Sequence, residues 1–351
     1  MKKRQKSLLA LGGLVLAMFL SSCAAKTPLI QAPNSIASLE KVQLGGIEQW
    51  ILIRGTDRSN PVLLFLHGGP GAAEMTTEHY FGTELEKHFV VVMWDQRGAG
   101  KSYSSKIPEK TMTIDQFVSD GHELTLVLKK RFSAEKIYLM GHSWGTILGT
   151  LLVQKYPEDY YAYIGIGQCV DLERNEAISY QFVLDEAKKR NNKIALSQLQ
   201  KIGPPPYQNQ SEMMTQRNWL TKFGGAAYQK SSLGWMIKIA LEAKEYSAGD
   251  FVKFLIGVEY SDKLMWDEIM KVNFLNDATR LEVPVYFFEG RHDYNTPWEL
   301  VQEYYEKLDA PKGKTLIWFE NSAHSPNLEE PEQFAEEMID QVLKETYPQT
   351  R

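Results

Sequence analysis

The fold of this chain is decided by the stretch Lys136-Ile-Tyr-Leu-Met-Gly-His-Ser-Trp-Gly-Thr146. Its apolar first half predicts a buried strand, and residues 146–156 predict the helix that follows. Between them, Gly141-His-Ser-Trp-Gly145 fits a Gly-x-Ser-x-Gly strand–turn–helix motif. So tight a turn strains the backbone of its serine and leaves room only for small residues two positions before and after it. The motif therefore predicts that Ser143 is a nucleophile whose hydroxyl is lifted off a sheet.

Apolar strands and amphipathic helices alternate on either side of this turn, as in a parallel sheet covered on both faces. The alternation stops between about residues 170 and 280, where helical patterns take over. We interpret this part as a helical cap inserted after the sixth strand; the alternative is a separate partner-binding domain. The predicted units are a signal segment, a tether, the first part of the core, the cap and the second part of the core, with bounds 1–22, 23–38, 39–169, 170–280 and 281–351.

An acid and a base follow the last two predicted strands, at the sheet edge where this class of fold keeps its site. The chain order Ser143, Asp293, His324 suits a serine, acid and base triad. His324 is expected to take the proton of Ser143, while Asp293 orients its imidazole. Glu289 is a weaker candidate for the acid because it still belongs to the strand end. His142 lies within the turn and is expected to point away from the serine.

A glycine-rich loop, His67-Gly-Gly-Pro-Gly71, follows the strand predicted at residues 61–66. Such a loop leaves backbone N–H groups available to a substrate oxygen, so we expect the N–H groups of Gly69 and Trp144 to form an oxyanion hole. His67 is expected to brace this loop. Asp95 and Arg97 are expected to form an ion pair that braces the neighbouring loops.

These motifs together resemble the proline iminopeptidase branch of the α/β-hydrolase superfamily. The resemblance rests on the quoted glycine loop and serine turn, together with Trp94-Asp-Gln-Arg-Gly-Ala-Gly-Lys-Ser102, Gly290-Arg-His-Asp293 and Ala323-His324. It implies an α/β-hydrolase fold with a mostly parallel eight-stranded sheet, helices on both faces and the helical cap after the sixth strand. The implied activity is release of an N-terminal residue, often proline, from short peptides.

The cap departs from that family, because the motifs that carry its amino-group-binding acids are not found here. Glu173, Glu176 and Glu259 are the candidates to bind the amino group of a substrate, through a charge-assisted hydrogen bond. The substrate is therefore a small peptide or an ester. An aminopeptidase is favoured, a carboxylesterase or other acyl hydrolase with the same triad is the alternative, and a non-catalytic binding module is a third hypothesis.

The N-terminus predicts a targeting signal. A basic start is followed by an apolar run at residues 8–20, which suits a signal segment better than a membrane span. Leu20-Ser-Ser-Cys23 resembles the lipobox of bacterial lipoprotein precursors, which implies cleavage before Cys23 and its acylation. An ordinary secretory signal or an uncleaved anchor are the alternatives. We expect a protein anchored by lipid to the bacterial cell envelope and facing outside the cytoplasm, with Cys169 left as a buried small side chain.

Composition excludes several other classes. Without the four basic residues of the signal segment, 35 basic side chains stand against 44 acidic ones, a net charge of −9. This balance, with no basic stripe, argues against nucleic-acid binding. No His and Cys spacing fits a metal site, and no Gly-x-Gly-x-x-Gly follows a strand, so neither a metal nor a nucleotide cofactor is expected.

Replacing Cys23 by Ala should leave the protein soluble or uncleaved, because the acceptor of the lipid is removed. Fractionation of cells and the mass of the mature N-terminus measure this outcome. Full membrane retention with normal processing would contradict the lipid anchor.

Overall fold

The computed structural model describes residues 25–229 and 234–348. The predicted signal segment and the predicted lipidation residue Cys23 lie outside these ranges. None of the helices within them combines the length and the apolar character needed to cross a membrane. An eight-stranded sheet forms the centre of the described chain.

The sheet is mostly parallel and its strands, β1 to β8, are Ile36–Leu44, Ile47–Gly55, Val62–Leu66, Val90–Asp95, Ile137–His142, Tyr160–Ile166, Val285–Gly290 and Lys314–Phe319. Their order is β1-β2-β4-β3-β5-β6-β7-β8, and only β2 pairs in the antiparallel sense, with β1 and β4. Alternate residues of β3 enter two different core clusters, Leu64 in one and Phe65 in the other. Because both faces are buried, the strand is apolar at every position.

The helices cover both faces of the sheet and fill the insertion between β6 and β7. In chain order, α1 to α12 are Glu78–Leu85, Ile114–Phe132, Trp144–Lys155, Leu172–Lys189, Lys193–Ile202, Gln210–Phe223, Gly234–Glu242, Ala248–Ile269, Phe274–Asp277, Trp298–Lys307, Pro326–Glu329 and Pro331–Glu337. A wider turn, Met338–Leu343, leads from α12 to a last turn, Lys344–Thr346. Helices α2, α3 and α10 pack in the first cluster, and α1 and α12 pack in the second. The predicted fold class is confirmed.

Over the described residues, the insertion after β6 contains the six helices α4 to α9. Helices α4, α5 and α6 share a third apolar cluster, to which they contribute Val183, Leu199 and Leu220. Helices α7 and α8 instead pack against the second core cluster through the partly buried Met236 and Phe254. The insertion is attached to the core through α7 and α8, and also through Leu172 of α4 and Phe274 of α9, which belong to the first core cluster.

The first strand of the sheet begins before residue 39, the predicted start of the core. Strands β1 and β2 are joined by Gly45-Gly46, whose φ angles of 52° and 79° suit a two-residue turn that only glycine adopts without strain. Ile36 is buried and pairs with Gly55, so β1 begins at residue 36. The boundary predicted between tether and core, at residues 38 and 39, therefore falls inside β1.

The predicted ion pair between Asp95 and Arg97 is wrong. Arg97 reaches α2 instead, where its Nε donates to Asp120 Oδ2 at 2.9 Å, and both side chains are fully buried. Asp95 accepts hydrogen bonds from the Lys101 N–H at 2.8 Å and from the Tyr246 hydroxyl. Burial raises the pKa of Asp95 to about 7, against the opposing effect of these two hydrogen bonds and of the Lys101 charge. Arg97 thus fixes α2 to the sheet, and Asp95 fixes the cap.

Asp120→Asn should destabilise the fold by about 3–5 kcal/mol, because it leaves the buried Arg97 guanidinium without its counter-ion. The midpoint of urea unfolding, followed by circular dichroism, measures the loss. Asp115→Asn is the matched control, since Asp115 is exposed on the same helix. Equal midpoints for the two variants would contradict this role of the pair.

Candidate active site

Ser143 lies in a strained turn between β5 and α3. Its backbone has φ 53° and ψ −120°, in the left-handed region that a side chain rarely adopts. A Cβ on Gly145 would lie 2.0 Å from the Leu66 carbonyl oxygen, and one on Gly141 would lie 2.5 Å from the oxygen of Gly145. Both positions must therefore be glycine for α3 to approach the sheet so closely. The Ser143 N–H donates to the Ile166 oxygen at 2.9 Å, which ties the turn to β6.

The histidine and the acid predicted for the site are brought together by the loops after β7 and β8. His324 Nδ1 lies 2.8 Å from Asp293 Oδ2. Asp293 is fully buried, and its Oδ1 accepts the N–H groups of Asn295 and Thr296 at 2.7 and 2.9 Å. The Thr296 hydroxyl donates to Asp293 Oδ2 at 2.8 Å. Because a carboxylate so placed accepts the Nδ1 proton, Nε2 of His324 is left as the basic nitrogen.

The imidazole of His324 lies against the segment that holds the serine turn. A Cβ on Gly167 would lie 2.8 Å from His324 Nδ1. Gly167 follows Ile166, whose carbonyl oxygen accepts the Ser143 N–H. Among the described residues, the Ser143 hydroxyl has no hydrogen-bond partner. Hydrogen bonds between nucleophile and base are often long without substrate and shorten when it binds.

The glycine loop lies beside Ser143, as an oxyanion hole requires. A Cβ on Gly68 would lie 3.3 Å from Ser143 Cβ, and Gly69 has φ 120°. Trp144 is the first residue of α3, so its N–H has no acceptor within the helix. The positive end of the helix dipole adds to the attraction for an anion at this point. Gly69 and Trp144 therefore stay the predicted oxyanion donors.

Gln96 and His67 brace these loops from behind. The Gln96 N–H donates to His67 Nε2 at 3.2 Å, and the Gln96 amide donates to the His67 oxygen at 3.1 Å. The indole N–H of Trp144 donates to Gln96 Oε1 at 2.9 Å. Burial lowers the pKa of His67 to about 4, so this ring is neutral and accepts through Nε2. The Asp-Gln-Arg-Gly motif thus supplies the brace through Gln96.

Glu74 and His142 form a buried pair that the sequence did not suggest. His142, expected to point away, lies 4.9 Å from the His324 ring, centroid to centroid. Its Nδ1 contacts Glu74 Oε1 at 2.7 Å, and its Nε2 contacts the His324 oxygen at 2.9 Å. Glu74 Oε1 also accepts the Gly68 N–H at 2.8 Å. The pair therefore links the oxyanion loop, the serine turn and the histidine loop.

His142 is charged in this arrangement because a carboxylate and a carbonyl both accept hydrogen bonds, so both ring nitrogens donate. Burial acts to lower the pKa of His142, but the Glu74 charge and the two hydrogen bonds outweigh it and raise the pKa above 6.5. Burial acts to raise the pKa of Glu74, but His142 outweighs it and holds the pKa below 4.5. The pair is therefore intact from below pH 4.5 to above pH 6.5, and its stabilisation is lost as pH rises through the pKa of His142.

The other titratable side chains of the site differ in surroundings. Burial, followed by the charge of Asp293, raises the pKa of Glu289 well above its usual range, so this carboxyl is neutral beside the acid that contacts His324. Cys169 is buried, and burial raises the pKa of its thiol to about 12, so it is not a nucleophile. Within the described ranges, no cluster of His, Cys, Asp or Glu side chains is arranged to hold a metal ion.

Of the three cap carboxylates, Glu176 is buried, whereas Glu173 and Glu259 are exposed. Glu176 Oε1 forms an ion pair with Arg217, and its buried Oε2 has no hydrogen-bond partner in the described chain. Helix α4 is tied to the loop of Asp293, because the amide of Asn175, next to Glu176, donates to the Asn295 oxygen at 2.9 Å.

Glu74→Gln should lower turnover of an activated aryl ester by about 10- to 100-fold, the size of one charge-assisted hydrogen bond. Without the carboxylate, burial lowers the pKa of His142, so the alkaline loss of kcat/KM should move to lower pH. Profiles of kcat/KM against pH measure both effects, with the exposed Glu84→Gln as control. A profile unchanged in shape and height would contradict this role.

Three comparisons agree with this geometry. A family model described as the alpha/beta hydrolase fold matches residues 61–331. The probable aminopeptidase YbaC of Bacillus subtilis (strain 168) is 37% identical over 88% of this chain and 96% of its own length, and a proline iminopeptidase of Heyndrickxia coagulans is 24% identical over 78% and 87%. The solved structure of a proline iminopeptidase-related protein from Thermus thermophilus superposes with a TM-score of 0.62, at 19% identity over 89% of this chain and 99% of that one, and shares the fold. The chain belongs to the α/β-hydrolase family and is a hydrolase.

Proposed function

We propose that this protein is a membrane-anchored serine aminopeptidase of the proline iminopeptidase type, which releases N-terminal residues from short peptides through an acyl-enzyme. The observation that carries the proposal is a buried cap carboxylate, Glu176, on a helix that is hydrogen-bonded to the loop of the histidine–aspartate pair. A serine–histidine–aspartate triad alone does not distinguish ester hydrolysis from peptide hydrolysis. A carboxylate in the cap selects substrates that carry a free amino group.

The acyl-enzyme forms when Ser143 Oγ attacks the carbonyl carbon of the first peptide bond and His324 Nε2 takes its proton. Asp293 stabilises the resulting imidazolium. The N–H groups of Gly69 and Trp144 hold the oxyanion, each contributing about 3 kcal/mol to lowering the barrier. His324 then gives the proton to the leaving amine. In the second half of the reaction, His324 takes a proton from the water that attacks the acyl-enzyme and returns it to Ser143 Oγ, which frees the amino acid and the serine.

Glu176 is suited to bind the substrate's ammonium group. One of its oxygens is paired with Arg217, and the other is buried with no hydrogen-bond partner among the residues described. The hydroxyl of Tyr207 is also buried without such a partner, and the charge of Glu176 acts on it. An ammonium group placed here would donate hydrogen bonds to Glu176 Oε2 and to the Tyr207 hydroxyl. This gain offsets the cost of removing the ammonium group from water.

The names of the relatives support the same reaction class, since one is called a probable aminopeptidase and another a proline iminopeptidase. For the location, the support is the sequence Leu20-Ser-Ser-Cys23 after a basic and apolar start. We infer that Cys23 carries the lipid and that the enzyme faces outside the cytoplasm. The substrate class is then short peptides on that side of the membrane.

Glu176→Gln should lower kcat/KM for proline and alanine arylamides by about 10- to 100-fold, because a charge-assisted hydrogen bond to the amino group is lost. Hydrolysis of a short-chain aryl ester, which has no amino group, should be unchanged. Glu173→Gln, an exposed carboxylate on the same helix, is the matched control.

The ester assay separates loss of binding from loss of folding, because both substrates use the same triad. An equal loss of kcat/KM on arylamides and on esters would show that Glu176 does not recognise the amino group of the substrate. Ester turnover with no arylamide turnover in the unaltered protein would overturn the peptidase and favour a carboxylesterase.

A further inference from the structure

Exposed apolar side chains gather on α7 and α8, two consecutive helices of the cap. Ile237 and Leu241 on α7 are 57% and 62% exposed, one helical turn apart. On α8, Val252, Leu255 and Ile256 are 57%, 68% and 44% exposed, and their spacing places them on one side of the helix. Large apolar side chains exposed in such numbers on two helices joined by a short link indicate an interaction surface.

The opposite sides of both helices are already occupied. Met236 of α7 and Phe251 and Phe254 of α8 pack against the second core cluster, and Tyr246 of the link between the helices is part of that cluster. The helices are therefore fixed to the core by one side, and their exposed apolar sides face away from it. We call the five exposed residues Ile237, Leu241, Val252, Leu255 and Ile256 the outer cap face.

The N-terminal end of the described chain is held next to this face. The Lys26 N–H donates to the Lys244 oxygen, in the link between α7 and α8, at 3.1 Å. Arg54 donates to the Thr27 hydroxyl and, at 2.9 Å, to the Pro28 oxygen. Leu29 beside them is 78% exposed. The point at which the chain leaves the core is therefore fixed relative to α7 and α8.

Chain length limits how far a lipid at Cys23 can lie from the outer cap face. Cys23 precedes Lys26 by three positions, and an extended chain spans at most about 3.6 Å per residue, or about 11 Å in all. This distance is similar to the depth of the interface between lipid headgroups and acyl chains. A bilayer that holds the acyl chains therefore lies within reach of α7 and α8.

The charge of this region also fits a bilayer. Exposed lysines lie on α7 (Lys238), on the link between the helices (Lys244), on α8 (Lys253) and at the N-terminal end of the described chain (Lys26), and exposed acids lie at Glu242 and Glu259. The chain as a whole is acidic, with a net charge of −5. Exposed lysines beside an apolar helix face attract anionic lipid headgroups.

We propose that the outer cap face lies in the headgroup region of the membrane that holds the protein. The proposal rests on the lipid anchor at Cys23 and is independent of the peptidase activity. The anchor limits the enzyme to the surface, and the outer cap face then sets its orientation. Apolar area and basic charge together stabilise this orientation, since a lipid chain alone leaves the protein free to rotate.

The test places an environment-sensitive fluorophore on the full, processed chain through Leu241→Cys or Leu255→Cys. Ile194→Cys is the matched control, because Ile194 is 67% exposed on α5. Cys169 is buried and a lipidated Cys23 has no free thiol, so labelling is confined to the introduced residue. Each protein is reconstituted in vesicles of phosphatidylcholine and phosphatidylglycerol, with and without a lipid that carries a nitroxide in its upper acyl chain.

We expect the nitroxide to reduce emission from positions 241 and 255 by about twofold or more and to leave position 194 unchanged. Equal emission at all three positions would overturn the proposal and leave the anchor intact. Shielding of 241 and 255 from water without nitroxide quenching would overturn it in favour of a protein partner. Recovery of the unlabelled chain in the soluble fraction would overturn the anchor and this proposal together, whatever its peptidase activity.

Discussion

The close approach of α3 to the sheet is the constraint on which the site depends. The Leu66 carbonyl oxygen occupies the space that a Cβ of residue 145 would need, so the helix can only start here if that residue is glycine. The chain then turns within a single residue, and Ser143 takes up the strain with φ 53°. This strain is maintained because the surrounding structure fixes the turn, through the Ser143 N–H and the buried packing of β5 and α3. The same turn places the N–H of Trp144 and the helix dipole beside the serine.

Much of this arrangement could be predicted from the sequence because its signals are local. One predicted apolar strand leads into Gly-x-Ser-x-Gly, another into an aspartate and a third into a histidine. Because parallel strands end at the same edge of a sheet, these side chains are expected at that edge, and the contact between His324 and Asp293 agrees with this. The pairs that escaped prediction join distant parts of the chain. Arg97 meets Asp120 rather than its neighbour Asp95, and Glu74 meets His142, since packing decides which buried charges face each other. Thr296, which holds both Asp293 and His324, likewise has no motif of its own.

The cap is where sequence patterns are least informative and packing decides most. Glu173, Glu176 and Glu259 look alike in the sequence, yet only Glu176 is buried, because its side of α4 faces α6 and Arg217. The same principle explains the cap's attachment: the Tyr246 hydroxyl bonds Asp95, and Lys101 Nζ lies 2.7 Å from Asp250. Polar groups from the core thus hold α7 and α8 in place, and their apolar residues are left for another surface. Under the two proposals, substrate selection and membrane orientation belong to two different sides of one insertion.

Covalent labelling can show directly whether Ser143 is the nucleophile. A fluorophosphonate, which reacts with an activated serine, is applied to the native protein, and the modified peptide is identified by mass spectrometry. We expect a single adduct on the peptide that contains Ser143, a slower reaction in Asp293→Asn, and no adduct in Ser143→Ala with its fold retained. Labelling that persists in Ser143→Ala, or an adduct on any other residue, would contradict this role of Ser143.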